Sequence, residues 1–524
     1  MTRLTDVNVH DIADAIRLGC RTMCNVFNRD DGDIPFFESR VRPEAWLRFH
    51  PMFSEAHVPG RHLNALLTAQ ATLSVDVPEV CIARHARAAF YAYSGPVPLP
   101  LNRTSLDGEL RNFVPHNLRE GFHALYALAR YRDSAHARAL AESSIAAIMR
   151  LWAPDRGWDR DYLERTLGLQ IIEFDSGPFI TGPARAIGPL VKYYQATGYG
   201  PALELAQMLK DKAIAEYFTA DGGYDPATFG THTHSTTCVM SSLAQLADAT
   251  GDAALLARVK AFYDHGLRAI RDPLGWVIEN SRPAAHPDRG EVNNTGDILE
   301  TALILGAWGY PEYYGDAERI LRGHLLPSQL RDISFIAPPP NAGATDGTRD
   351  VARRHRGAFG FPAPYGHEPV GMDHISFNMD IVGGAVGSLC AAYRHIARRD
   401  PDGHRVNLLF DHETDDLKAE SPYAHAQLRV IVKRPAPLFV RLPAWARPET
   451  IRIPGLAAPP QIAAGYLTIP DPPANQPLSI EFPLPEAEIM LEHRTRQIRT
   501  RLRGDQVLAM DNCGADLAFF DSID

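Results

Sequence analysis

From about residue 9 to 397, apolar residues recur at i, i+3, i+4 and i+7, which places them along one face of a helix. The pattern predicts helices over 118–131, 136–151, 184–194, 202–217, 236–249, 253–270, 298–308, 317–326 and 377–397. Three earlier stretches, 9–27, 61–74 and 80–92, fit the same spacing. Short turns of one kind join neighbouring helices: Asp133-Ser134, Gly198-Tyr199-Gly200, Gly251-Asp252 and Gly315-Asp316. Glycine tolerates the left-handed conformation that ends a helix, and Ser or Asp accepts from the free N–H groups that start the next one. The returns between these pairs are long and mixed in composition: 93–117, 152–182, 218–235, 271–296 and 328–376. An open solenoid has short uniform connections, whereas long irregular loops on one side commonly form the rim of a site. About twelve helices in six hairpins therefore predict a closed (α/α) toroid over residues 1–400.

After Arg399-Asp400-Pro401-Asp402-Gly403 the period falls to two. The segments 406–410, 426–432, 438–442, 465–469 and 478–482 alternate apolar with polar residues, and Pro and Gly punctuate them. They predict a β-sandwich over residues 401–524, of about eight to ten strands. The expected fold class is mainly α, a six-hairpin toroid followed by a C-terminal β domain.

Composition narrows the function. Of 524 residues, 45% are apolar and 22% charged, the mixture of a folded globular protein. Lys plus Arg number 53 against 63 Asp plus Glu, a net charge of −10 that argues against a nucleic-acid partner. No apolar run reaches the roughly 20 residues a membrane helix needs. The first eleven residues lack the apolar core of a secretion signal, so the cytoplasm is the expected location. Six cysteines (Cys20, Cys24, Cys81, Cys238, Cys390 and Cys513) form no CxxC pair, which disfavours a disulfide framework or a zinc ribbon. Cys20 and Cys24, one helical turn apart, read as packing residues.

Four stretches together resemble glycoside hydrolase family 127, the β-L-arabinofuranosidases and their relatives. They are His232-Thr233-His234-Ser235-Thr236 with the later Thr250-Gly251-Asp252 turn; Gly290-Glu291 followed by Gly296-Asp297-Ile298-Leu299-Glu300-Thr301; Asn378 before the last toroid helix; and Leu438-Phe439-Val440-Arg441-Leu442-Pro443-Ala444-Trp445 followed by Gly465-Tyr466-Leu467. The resemblance spans about residues 118–510 and implies a toroid, a sandwich and a sugar pocket. It also implies a zinc ion held by three cysteines and a glutamate, one cysteine being the nucleophile. This chain departs there: the cysteine of the family's Glu-Thr-Cys is Ala302, and its Cys-Cys pair falls near His374 and Ile375. No metal or other cofactor is expected, and carboxylates are left to carry the chemistry.

Glycoside hydrolysis normally uses two carboxyl groups, one as acid and one as nucleophile or base. Glu291 matches the family's acid/base position and Glu300 another of its active-site glutamates, while Asp373 stands beside the missing cysteine pair. These three are the catalytic candidates. Asp297 lies one turn before Glu300, so both can face the same pocket with Asp297 binding substrate; it equally suits the N-cap of that helix, with Glu300 as its N3 partner. Asp373 equally suits a turn residue. His232 and His234 share one side of an extended lead-in and suit sugar hydroxyls better than a metal, since no well-spaced third ligand stands out. His374, Asn378, Asp175, Tyr365 and His116 complete the substrate-binding candidates. Asp225, Glu279, Glu368, Arg119, Glu120, Glu173, Phe174, Tyr224 and His367 are further rim residues.

The expected activity is an exo-acting, metal-independent glycoside hydrolase on a terminal sugar of a short saccharide. Two alternatives stand beside it. One is a uronate-type lyase with Tyr365 or His374 as base; the other is a non-catalytic sugar-binding protein. The partner expected is a small saccharide, with neither nucleic acid nor membrane, and the chain could assemble with copies of itself.

Overall fold

The computed structural model describes residues 3–174, 176–456 and 460–523. Its helices are α1 (Ile12–Met23), α2 (Val58–Leu73), α3 (Glu79–Ala92), α4 (Leu118–Arg132), α5 (Ala135–Leu151), α6 (Ile187–Thr197) and α7 (Gly200–Glu216). Then follow the short α8 (Pro226–Phe229), α9 (Thr233–Thr250), α10 (Ala253–Asp264), α11 (Val292–Ala307), α12 (Glu312–Ile320), the short α13 (Val351–His355) and α14 (Ile381–Ile396). Six of them form an inner ring: α2 packs on α4, α4 on α6, α6 on α9, α9 on α11, α11 on α14, and α14 back on α2. The others lie outside, α3 against α2, α5 against α4, α7 against α6, α10 against α9 and α12 against α11. The first helix, α1, closes the outer layer by packing on the last inner helix, α14. Such pairing follows from amphipathicity: each outer helix buries one stripe, while the inner ones are covered almost all round.

Turns at the C-terminal ends of the inner helices are short. Ser134 Oγ accepts from Ala137 N–H at 3.2 Å, and Asp252 accepts from Leu255 N–H at 2.9 Å. Gly198 and Gly251 hold left-handed φ of 74° and 70°. The Gly315-Asp316 turn does not form. Helix α12 starts earlier, at Glu312 just after Pro311, so both residues lie inside it. The long connections all reach the N-terminal ends of the inner helices, which therefore gather at one mouth.

Five of the six inner-helix starts differ from the pattern, among them α2 at Val58 rather than 61 and α6 at Ile187 rather than 184. Helix α11 begins at Val292, six residues before the predicted start at 298, although Asn293, Asn294, Thr295 and Gly296 are poor helix formers. All are buried between α9 and α14, so packing overrides propensity. Helix α9 starts at Thr233 rather than 236, and α14 at Ile381 rather than 377.

Beyond α14 the chain passes directly into the strand Ala397–Asp400. A five-stranded sheet and a four-stranded sheet, whose last strand is Leu478–Ile480, share one apolar core of Val406, Leu417, Val430, Val440, Leu467 and Ile480. The remaining strands, Glu486–Glu492, Gln497–Arg503 and Gln506–Met510, form a separate sheet. That sheet joins a second core with Leu4, Val41, Leu330, Tyr365 and Phe377, so the last forty residues return to the toroid side instead of extending the sandwich.

Candidate active site

The residues just before the inner helices are His57, Asn117, Ala186, His232, Glu291 and Asp380. None of them caps its own helix with its side chain. The polar five are free to meet across the mouth. His57 Nδ1 lies 2.9 Å from Asn117 Oδ1, and its Nε2 lies 3.2 Å from Asp380 Oδ2. Arg61, one turn into α2, forms the hub. It reaches Asp380 at 3.3 Å, Glu120 at 3.0 Å, the Asn293 amide oxygen at 3.0 Å and His234 Nε2 at 3.3 Å. Two glycines make this crowding feasible. A Cβ on Gly384 would overlap Asn293 Oδ1 and the Arg61 guanidinium, and one on Gly60 would strike the Glu120 backbone.

Glu291 sits opposite. Asn293 Nδ2 donates to its Oε1 at 2.8 Å, His234 Nδ1 lies 3.3 Å from Oε1, and His232 Nε2 lies 3.8 Å from Oε2. The Glu291 side chain is 7% exposed and that of His232 28%, so solvent reaches the glutamate past His232. Aromatic rings complete the wall: His116 stacks on His57 with centroids 5.6 Å apart, and Phe174 packs against His116 at 4.9 Å and His232 at 5.9 Å. Such faces suit the apolar side of a sugar ring.

The two mouth carboxylates are set in opposite environments. Burial pushes Glu291 up to about 8, and the negative charges of Glu279 and Asp380 add to the effect. Burial would also raise Asp380, but its hydrogen bond to His57 and the Arg61 charge hold it down at about 2. Glu120 is likewise held at about 2 against its burial, by Arg185, His57 and Arg61. Burial and the surrounding guanidinium charges depress His232 to about 3 and push His116 and His234 well below the usual range, which keeps the imidazoles neutral.

The ring interior continues beneath Asn293 as a narrow cavity of about 30 Å³ lined by Arg61, Arg119, Lys192, Asp297 and Glu300. It opens into a space of about 310 Å³ at the far end, beside Tyr126, Tyr131 and Arg394.

Solved structures match the fold that carries this mouth. The GH127 β-L-arabinofuranosidase of Geobacillus stearothermophilus T6 aligns with a TM-score of 0.59 at 15% identity, over 96% of this chain and 86% of that one. A further GH127 β-arabinofuranosidase gives 0.57 at 13% identity, over 94% and 79%. The fold is that of the GH127 enzymes. A sugar epimerase from a ruminal bacterium shares it more loosely, with a TM-score of 0.50 at 12% identity over 73% of this chain and 99% of that one. No family model matches the chain, and no curated protein matches it.

Within this GH127 fold several expected site residues move. Glu300 is not at the mouth. It lies in the third turn of α11, where Ser388 donates to it at 2.8 Å and Ser241 and Gln245 at 3.2 Å, tying three inner helices together. Asp297 is neither an N-cap nor a rim residue. It is buried in the second turn of α11, 3.2 Å from Arg119 and 3.0 Å from Thr237 Oγ1. Asp373 lies on the surface with its side chain 95% exposed, 2.7 Å from His374 Nδ1, and that partner rather than a substrate pocket lowers its pKa. His374 faces Asp373 and not the mouth. Tyr365 is locked in the second core: its hydroxyl donates to Asp288 at 2.8 Å and accepts from Val370 N–H at 2.9 Å, which removes it as a lyase base. Asn378 is in the turn before α14, where its carbonyl accepts from Ile381 N–H at 3.1 Å. Asp175 lies outside the described residues. Glu291, His232, His234 and His116 do come together. His57, Arg61, Arg185 and Asp380 were missed, because the helix pattern placed α2 three residues late and ran α14 through Asp380. Position immediately before an inner helix is the signal that could have found His57 and Asp380.

The zinc–thiolate centre implied by the resemblance does not fit these residues. With α11 starting at Val292, the helix-start triplet is Glu291-Val292-Asn293, again without a cysteine. Cys20 lies in the outer helix α1, Cys24 just past its end and Cys81 in the outer helix α3, while Cys238 and Cys390 are buried within α9 and α14. A different donor set does exist: His232, His234 and Glu291 offer ligand atoms that all lie within 4.8 Å of one another. The third ligand that sequence spacing did not suggest is supplied by the tertiary structure.

Proposed function

We propose that this chain hydrolyses the glycosidic bond of a terminal sugar in a short saccharide, with Glu291 as general acid and Asp380 as nucleophile or base. One observation carries the reading. Two buried carboxylates share one mouth, Asp380 compensated by Arg61 and His57, Glu291 by a neutral amide and imidazoles. Environments that drive two carboxyl pKa values apart assign the acid and the base. The uncharged Glu291 holds a proton for the leaving oxygen, and the charged Asp380 faces the developing positive charge at the anomeric carbon. His116, His232 and Phe174 would seat the sugar ring, and the narrowing of the ring interior to about 30 Å³ beneath Asn293 favours a chain end over a chain middle. The free cysteines agree with work in a reducing compartment such as the cytoplasm, on an imported saccharide.

A screen of aryl glycosides identifies the sugar. On the substrate so found, Glu291→Gln and Asp380→Asn should each lower kcat by about 10²–10⁴ with little change in KM. Near-native turnover by Glu291→Gln would sink the acid assignment.

The cluster of neutral imidazoles favours a second reading, proton transfer at a sugar carbon, the kind of step a sugar epimerase performs. Incorporation of deuterium from heavy water into an unhydrolysed sugar would select it.

A further inference from the structure

We propose that His232, His234 and Glu291 form a binding site for a single divalent ion of the zinc class. Two donors each about 2.1 Å from a tetrahedral ion stand roughly 3.4 Å apart. Glu291 Oε1 lies 3.3 Å from His234 Nδ1 and its Oε2 3.8 Å from His232 Nε2, and one ligand atom from each of the three residues falls within 4.8 Å of the others. Small side-chain rotations therefore suffice to close the set around an ion.

The surroundings prepare both imidazoles as ligands. A metal-bound histidine usually donates its second ring N–H to a neighbour that fixes the tautomer. His232 Nδ1 lies 2.8 Å from Ser235 Oγ, which leaves Nε2 free to face Glu291. His234 Nε2 lies 3.5 Å from the Asp297 carboxylate, which leaves Nδ1 facing the same point. Without an ion His234 Nε2 accepts from Arg61 at 3.3 Å, and its Nδ1 faces Glu291; moving the ring proton to Nε2, with the Asp297 carboxylate 3.5 Å away to receive it, frees Nδ1 for the ion. Asn293 orients Glu291 through Oε1 and leaves Oε2 open. Glu291 has no salt bridge to a lysine or arginine among the described residues, and a bound cation would supply its counter-charge. Access past the partly exposed His232 leaves the remaining coordination position for water or a sugar hydroxyl. Two nitrogens and one carboxylate suit zinc, cobalt or nickel better than magnesium or calcium. The site shares Glu291 with the acid reading above and does not depend on it. A carboxylate that ligates an ion cannot deliver a proton, so the loaded chain is the form in which that acid is blocked.

The test titrates the full chain, stripped with a chelator, with Co²⁺ as a spectroscopic probe. One Co²⁺ per chain with the intense visible absorption of a four- or five-coordinate ion is expected, displaced by Zn²⁺. His232→Ala and His234→Ala should each weaken binding about tenfold or more, and Ser235→Ala, which acts by positioning His232, less. Near-ultraviolet circular dichroism in chelator checks that each variant is folded, and His232→Gln replaces His232→Ala if the latter is not. Less than half an equivalent of Co²⁺ bound by the native chain, or unchanged affinity in the folded histidine variants, would overturn the proposal. Activity of Glu291→Gln is measured separately in chelator, so the acid reading and the metal site can fail independently.

Discussion

Glu291 has the environment of a carboxylic acid kept uncharged: a neutral amide donor, two neutral imidazoles, and acidic neighbours in Glu279 and Asp380. The protonated form is the one that can serve as general acid, so activity should be full below about 8 and fall as pH rises through that value. A profile of kcat/KM against pH checks this through its basic limb. Glu279→Gln removes one of the negative charges that raise Glu291, so the limb should move to lower pH in that variant. A limb that stays in place would show that another group controls it. Asp380 is held near 2 and stays ionised throughout, so it adds no acid limb in the ordinary working range.

At the scale of the helices, the mouth depends on how closely α2, α4, α11 and α14 approach one another. Gly60 and Gly384 permit that approach, and Arg61 exploits it to bind Asp380, Glu120 and Asn293 at once. Gly384→Ala would force Arg61 or Asn293 aside. Overpacking of this kind costs about 1–3 kcal/mol, and it would release the amide that orients Glu291. The expected result is a chain of slightly lower thermal stability whose kcat falls more than its stability implies, read from melting curves and kinetics on the same preparation. The α11 start explains why the site was only half legible at this scale. Its first turn is written in Asn, Thr and Gly, which local propensity reads as loop. Only burial between two neighbouring helices makes it helical, and the shift moves Glu300 from the expected mouth into the interior.

In the whole molecule, α12 joins the toroid to the β domain. Glu318, fully buried, accepts from Arg322 at 3.1 Å and pairs with Arg441, while Arg322 donates to the Leu409 carbonyl at 2.7 Å. Arg441 is the arginine of the Leu438–Trp445 motif, and Trp445 Nε1 donates to Asp505 at 2.9 Å on the third sheet. That motif therefore holds modules together and has no place at the mouth of the ring. Glu318→Ala leaves two buried guanidinium groups without their carboxylate, a loss of about 3–5 kcal/mol. The β domain should then separate or unfold first, visible as a split calorimetric transition or early proteolysis near residue 400. A single unchanged transition would count against the docking role.

Much of this architecture follows from the sequence alone. The 3.6-residue period, the hairpin turns and the later two-residue period determine a toroid and a β domain, because each is a local rule about which face is apolar. The same locality let His116, His232 and His234 be picked out beside predicted helix starts, whereas Glu291 was legible only through the family resemblance. The tertiary structure alone decided which charges meet. Asp380 and Arg61 belong to helices at opposite ends of the toroid sequence, and they touch because the ring closes α14 onto α2. Whether a carboxylate is an acid, an anion, a strut such as Glu300 or a surface group such as Asp373 depends on the cations and burial brought to it from distant segments. No pattern along the chain encodes that sum.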